Sequence, residues 1–318
     1  MKKSQKKAAV IIATYNRALI LKAGLAQIAK TKGLSYFDIF VIDNGSTDET
    51  DSVVKLYPFV KYIKNDSNRF VSMALNQVFF EKHISTNYKY VILLANDVLV
   101  DKNTFIELVD FLELNPKVGL TAPAYYEYDT NELRTVGLSI NPWTSLLVNY
   151  TRQNKHINHF VSCYAFPSAV FQKLKGYNAN LYPMIYEEPD IGNRVINAGL
   201  NLKPCIKAKI WHPIIVGKKI GFAKRESQLV SKRLYDNSNK TYLFFRNRII
   251  YMSTYSSPLQ FVIFYALFNP FISIYYMTRM EIKNLKHAII GLIDGTKFAL
   301  NKNEKFIKKR NSTVLRYN

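Results

Sequence analysis

Cysteine is scarce, acid is scarce, and a dinucleotide-type glycine loop is missing. The two cysteines among 318 residues, Cys163 and Cys205, form no CxxC pair and no disulfide framework, so a reducing compartment is expected. No GxGxxG follows the first apolar run, which disfavours a dinucleotide oxidoreductase. The opening MKKSQKKAAVIIATYNR starts basic, yet its apolar run is short and reaches Thr14-Tyr15-Asn16-Arg17 without a small-residue cleavage pattern. It reads as a first strand of a cytoplasmic protein and not as a signal peptide. Acids number 23 against 44 lysines and arginines, a formal net charge of +21. The excess sits mainly after residue 200, with a smaller cluster at Lys2, Lys3, Lys6 and Lys7. A negatively charged partner is implied: nucleic acid, an acidic small molecule or the anionic face of a membrane.

With 48% apolar residues the chain can fill a core as one large domain, or as one domain with an appendage. Apolar runs at Ala8–Thr14, Phe37–Asp43, Val60–Asn65, Tyr90–Asp97 and Val118–Pro123 read as strands, and helix-period segments lie between most of them. This alternation predicts βαβ units and an open parallel sheet. Ligands of such sheets sit beyond the strands' carboxyl ends, where Thr14, Asp43 and Asp97 fall. The middle, 125–166, is irregular and reads as loops with an insert over the sheet. A helix is expected over 186–200, ended by Gly199, then a strand stopped by His212-Pro213.

The run Pro258–Met277 has the length to span a membrane, but Gln260, Asn269 and Pro270 interrupt it. Interfacial or re-entrant helices are favoured, with Arg246, Arg248, Arg279, Lys283 and Lys286 facing anionic headgroups; a buried helical hairpin is the alternative. The tail after Asn301 reads as solvated and flexible.

Singly, each polar motif has a plain explanation. Asn44-Gly45-Ser46-Thr47-Asp48 makes a turn and a cap, Asp97 caps the next helix, Glu187-Glu188 is an acidic first turn, and His212 ends a strand. In this order, however, Thr-Tyr-Asn-Arg, Val-Ile-Asp-Asn-Gly-Ser-Thr-Asp, a strand ending in an acidic motif, and an acidic cluster leading a helix with an Arg and a Gly resemble the inverting glycosyltransferases of family 2. The likeness covers roughly the first two thirds of the chain. TYLFFRNRIIY further resembles the Tyr-Tyr-x-x-Arg-Asn element of bacterial members that add rhamnose or galactofuranose to surface polysaccharides.

The resemblance implies an α/β GT-A fold, a mainly parallel central sheet flanked by helices, over residues 1–217. Residues 218–318 would form a basic and apolar helical extension, membrane-associating. Thr14, Tyr15, Arg17, Asp43, Asn44, Asn96 and Asp97 would bind a nucleotide-diphosphate sugar, with Asp43 on the base or ribose. The family's Asp-x-Asp stands here as Ala95-Asn96-Asp97, so Asp97, completed by His212, would hold Mn²⁺ or Mg²⁺. The base that deprotonates the acceptor would be Glu188, with Asp190 as rival beside Glu187. Phe70 occupies the glycine place of the family's Asn-x-Gly, a bulky residue there that would reshape the donor pocket. The expected acceptor is a glycan or lipid-linked glycan at the inner face of the cell membrane. A basic, aromatic-rich nucleic-acid binder would match the charge, but it forms no recognisable module and leaves the acidic cluster unexplained, so no specific nucleic acid is expected. An inactive scaffold of the same fold is the remaining alternative.

Overall fold

A computed structural model describes residues 8–212, 214–216, 219–221, 237–278 and 280–315. The lysines at 2–7, most of the basic stretch before Ser238, and Arg279 lie outside the described residues, as does the side chain of Lys283.

The strands are apolar without a break because both of their faces are covered. Along β1 (Ala8–Thr14), Ala8, Val10 and Ile12 enter one core layer while Ala9 and Ile11 enter the other. β4 (Tyr90–Ala95) divides in the same way, Tyr90, Ile92 and Leu94 against Val91 and Leu93. Period-two alternation serves two interiors, so no polar face remains. Each fully buried aliphatic side chain contributes about 1.5–3 kcal/mol.

β2 (Phe37–Asp43) and β3 (Val60–Lys64) extend the parallel sheet on one side of β1, and β4 on the other. Helices α1 (Ala18–Ile28), α2 (Thr50–Lys55), α3 (Phe70–Glu81) and α4 (Ile84–Asn87) occupy the crossovers. After β5 (Leu99–Val100) and α5 (Thr104–Leu114) comes β6 (Val118–Tyr126). The middle is more ordered than its composition suggests: it forms β7 (Leu133–Thr135), β8 (Gly137–Ile140), β9 (Leu147–Tyr150) and β10 (Cys163–Pro167). β10 runs antiparallel between β4 and β6, so the sheet is mixed and not purely parallel. Its five residues are too short and too evenly buried to be told from a loop by periodicity. α6 (Ser168–Lys173) and α7 (Glu187–Asn197) follow, then β11 (Asn201–Trp211), parallel to β6 and antiparallel to β5.

Two compact units result. The first holds the described residues of Met1–Ser139, Asn149–Tyr177 and Ile191–Ala223; the second holds Ile140–Val148, Asn178–Asp190 and the described residues after 224. They interleave along the chain. The first turn of α7 belongs to the second unit and the rest of that helix to the first.

In the second unit, α8 (Ser238–Tyr255) is buried all round: Arg246, Asn247 and Arg248 are 0%, 0% and 1% exposed. Arg246 and Arg248 therefore cannot face headgroups, contrary to the sequence expectation. The apolar run forms α9 (Pro258–Ile263), a π-turn over Phe264–Phe268, and α10 (Asn269–Met277). Pro270 lacks an N–H and crowds the preceding turn, and the wider π-turn accommodates it. The polar interruptions have structural employment: Gln260 closes a capping box with Ser257, and Asn269 accepts from Arg248 Nη2 at 2.7 Å. Two further helices, α11 (Ile282–Asn301) and α12 (Glu304–Val314), complete the unit. The tail, expected to be solvated, is thus helical over Glu304–Val314, with Ile307 and Leu315 buried.

Gly192 sets how closely α7 approaches the chain at Asn158, because a Cβ there would lie 2.0 Å from the Asn158 carbonyl oxygen. Gly192→Ala is expected to cost about 2 kcal/mol by overpacking, read as a lower urea midpoint with an unchanged slope.

Candidate active site

Parallel register brings the strand ends to one level. Thr14 is paired with Asp43 across β1 and β2, and Ala13 with Ala95 across β1 and β4. Asn96 Nδ2 donates to Thr14 Oγ1 at 2.9 Å, tying the β4 turn to β1. Tyr15 is half-buried on the loop that follows.

Asp97 is the centre of this cluster. Its Oδ2 accepts from Arg17 Nη1 at 2.6 Å and lies 3.4 Å from His212 Nε2. Burial by itself would push the carboxyl pKa up, but the bond and charge of His212 and the charge of Arg17 outweigh it and hold it well below the usual carboxylate range. The sequence placed Asp97 and His212 together; that Arg17 joins them was not legible, since the two residues are 80 positions apart. His212 arrives through register: Trp211 pairs with Leu99 and Ile210 with Val100, so the next residue reaches the Asp97 turn. The Tyr125 ring lies 6.2 Å from the His212 ring, and burial raises its hydroxyl pKa to about 12. Among the described residues no group of three His, Cys, Asp or Glu side chains is placed to hold a metal ion. Asp97 and His212 suit an ion that takes its remaining ligands from outside the protein.

Asp43 is fully buried. One of its oxygens accepts from Ser46 N at 2.9 Å and the other from Tyr62 O–H at 2.7 Å. Through these bonds it shapes the Asn44–Asp48 turn. Gly45 is required there twice over, by φ +79° and by Ser67 backbone atoms 3.0 Å from where a Cβ would stand. Asn44, 3% exposed, donates to Phe70 O and accepts from Asn65 Nδ2.

Residues the sequence reading passed over lace the two loops. Asn16, at φ 49°, donates its N–H to Ser46 Oγ at 2.8 Å and accepts from Thr47 N at 2.8 Å. Asp48 accepts from the Ala18 N–H at the start of α1 as well as from Thr50, so it caps a helix other than its own. Burial would raise the Asp48 pKa, but these donors lower it. The motif letters were visible; their cross-loop pairing was not. Phe70, in the glycine place, keeps the backbone a glycine would adopt, with φ 59° and Asn68 Oδ1 accepting its N–H. That conformation costs about 1–2 kcal/mol, which the nearly complete burial of the ring offsets.

In the second unit, Glu187, Glu188 and Asp190 form the first turn of α7. Asp190 is 3% exposed and accepts from Tyr255 O–H at 2.6 Å. Burial, reinforced by the charge of Asp190, raises the Glu187 pKa to about 7 against the pull of nearby backbone N–H groups. Glu188 is half-buried beside it. Arg194, on the same helix, donates from Nη1 to the Leu174 carbonyl at 2.8 Å.

Comparison with known proteins agrees with this geometry. The family model "Glycosyl transferase family 2" matches residues 9–174. Over 120 residues the chain is 24% identical to chondroitin synthase of Escherichia coli, a match covering 37% of this chain and 17% of that one. The chain thus spans about a sixth of that relative's length. Among solved structures, a mannosyltransferase from Pyrobaculum calidifontis in complex with GDP-Man and Mn²⁺ superposes with a TM-score of 0.56 at 17% identity, covering 97% of this chain and 84% of that one. S. aureus TarS 1–349 in complex with UDP-GlcNAc gives 0.57 at 12%, covering 98% and 93%. The fold is GT-A, and the chain belongs to glycosyl transferase family 2.

The two perturbed carboxyls act on stability in opposite senses. Asp97, with a depressed folded pKa, stabilises above its unfolded value of 3.8 and loses that contribution as pH falls. Glu187, raised from 4.5 to about 7, stabilises below 4.5 and loses that contribution as pH rises through 7. Glu187→Gln should therefore flatten the decline between pH 4.5 and 7, on the order of 3 kcal/mol, whereas Asp97→Asn should flatten the acid limb. Urea unfolding across pH reads both.

Proposed function

We infer that the protein transfers one hexosyl or deoxyhexosyl group, with inversion, from a UDP- or dTDP-sugar to a hydroxyl of a growing bacterial glycan such as capsule or O-antigen. The observation that carries this reading is the Arg17–Asp97–His212 cluster at the carboxyl ends of parallel strands in a member of this family. Thr14, Tyr15, Arg17, Asn44 and Asn96 would contact the donor, and Asp43 would act through the turn it holds.

Arg17 is the residue that changes partner. While it pairs with Asp97 each neutralises the other; a bound diphosphate offers Arg17 a bidentate anionic partner and frees the Asp97 oxygen. Asp97 and His212 would then hold Mn²⁺ or Mg²⁺, which supplies charge stabilisation to the leaving diphosphate. Mn²⁺ accompanies GDP-Man in the mannosyltransferase, and this supports a divalent ion here. A carboxylate of the acidic turn, Glu188 first and Asp190 or Glu187 as rivals, takes the proton of the acceptor hydroxyl. The hydroxyl oxygen bonds the anomeric carbon as the bond to the nucleoside diphosphate breaks on the opposite face.

The protein would work at the inner face of the cell membrane. Pro258–Met277 has a mean hydropathy of 1.4 over its most apolar window, only 22% of it buried, and Leu259, Val262, Leu267, Phe271 and Ile274 are all at least 60% exposed. Lys286, Lys297, Lys305, Lys308 and Lys309 are exposed on the following helices. Each cation near an anionic surface adds about 1 kcal/mol, giving reversible attachment that also brings a lipid-linked acceptor near. Truncation after about residue 240 would remove the buried α8, so surface substitution is the cleaner test. Leu259→Ser, Val262→Ser, Leu267→Ser and Phe271→Ser combined should abolish binding to vesicles rich in phosphatidylglycerol, in sedimentation, without moving the thermal midpoint. Undiminished binding would place the membrane contact elsewhere.

Calorimetry tests the donor site. UDP or dTDP should bind more tightly with Mn²⁺ than without, and Asp97→Ala should weaken the metal-supported binding at least tenfold, about 1.4 kcal/mol. Absence of binding by either nucleotide in any metal would sink the transferase reading.

A further inference from the structure

The Arg-Asn-Arg element of α8 is a sequence motif to which the transferase reading gives no task. Its position suggests one. The acidic turn is reached through Ile185 and Tyr186, which stand consecutively at φ 65° and 75°. Two successive left-handed non-glycine residues, one of them β-branched, do not persist unless their surroundings impose them. Here the surroundings are α8. Asn247 Nδ2 donates to the carbonyl oxygens of both Met184, at 3.0 Å, and Ile185, at 2.6 Å. Its Oδ1 in turn accepts from Arg246 Nε at 2.8 Å. Arg246 also donates to the Leu181 carbonyl and to Asn311 Oδ1, while Asn311 Nδ2 donates to the Asn180 carbonyl at 2.7 Å. Further along α8, the Tyr251 ring packs 5.2 Å from that of Tyr186, and Tyr255 holds Asp190.

We propose that Asn247 is a positioning residue, and α8 a template, that holds the strained Met184–Tyr186 backbone and thereby aims the carboxylates of Glu187, Glu188 and Asp190. This rests on the reading of the acidic turn as the source of the base. Asn is required by its chemistry: one amide supplies two donors to two consecutive carbonyls and one acceptor to a guanidinium, and no other side chain of that size offers the set. Full burial of the triplet isolates these bonds from competing water. Arg246 fixes the amide's orientation and grips the same segment upstream. A general base must stand within hydrogen-bond reach of its proton, so loosening this segment should lower turnover without touching the nucleotide cluster around Asp97.

The experiment compares Asn247→Ala, the milder Tyr255→Phe, Glu187→Gln, Glu188→Gln and Asp190→Asn in the full chain. Turnover is read as nucleoside diphosphate released from a panel of UDP- and dTDP-sugars with Mn²⁺, affinity as calorimetric binding of UDP and dTDP, and loop order as hydrogen exchange over residues 182–190. Asn247→Ala should cut kcat at least thirtyfold and Tyr255→Phe about threefold to tenfold, with nucleotide Kd changed less than twofold. Exchange should rise over 184–190 while α8 keeps its protection. Adding Ile185→Gly, which adopts the left-handed backbone without strain, should return part of the kcat lost in Asn247→Ala. Loss of activity in the glutamate variants but unchanged kcat and exchange in Asn247→Ala would overturn the template role alone. Full activity in both glutamate variants and in Asp190→Asn would overturn the acidic-turn reading, and this proposal with it. Should Asn247→Ala fail to fold, an unchanged kcat in Tyr255→Phe overturns the proposal and a selective loss of kcat supports it.

Discussion

A carboxylate at the end of a strand buried on both faces must be met by positive charge, and the arrangement of the first unit follows from how Asp97 is met. Its β4 strand is covered by two core layers, so the side chain emerges where water is already partly excluded. Arg17 approaches from the β1 loop and His212 from the end of β11, and the three can coincide only if two separate strand registers hold, β1 with β4 and β11 with β5. The electrostatic demand and the sheet topology are one constraint seen from two sides. On the proposed transferase reading the same pairing would make the cluster responsive, since a diphosphate would compete for Arg17 and free the carboxylate for a metal.

The second unit solves a different problem with the same chemistry. Two arginines and an asparagine lie in sequence on a largely buried helix: carbonyl and amide oxygens accept from Arg246 and Asn247, while Arg248 donates from Nη2 to Asn269 and Ser273 and lies over the Phe244 and Phe245 rings. Burial that would be costly for unpaired groups becomes a means of fixing backbone. The left-handed Ile185 and Tyr186, each costing on the order of 1–3 kcal/mol, are held where the acidic helix begins. Both units thus use buried polar groups to hold chain segments that would not hold themselves.

Much of this was legible in the residues. β1 and β2 have the bounds their apolar runs predicted, because a strand buried on both faces leaves an unbroken signature. Gly199 ends α7 at φ 79°, as a helix-terminal glycine should. The antiparallel β10 was not legible, since five buried residues carry no period. The tail reads as polar, yet it forms α12 because Ile307 and Leu315 find a core and Asn311 finds a carbonyl. Arg246 and Arg248 read as surface cations because nothing local says that a neighbouring segment needs their hydrogen bonds.

The sequence by itself determined the alternation of strand and helix, the residues at the carboxyl ends of the strands and the family they signal, for these depend on local periodicity and on side-chain chemistry carried in order. Only the tertiary structure decided that Arg17 pairs with Asp97, that Asp43 turns inward, that Asp48 caps another loop's helix, and that α8 braces the acidic turn. Each of those is a pairing between residues tens of positions apart. Such pairings depend on strand register and helix packing, which the side chains constrain collectively and no single segment specifies.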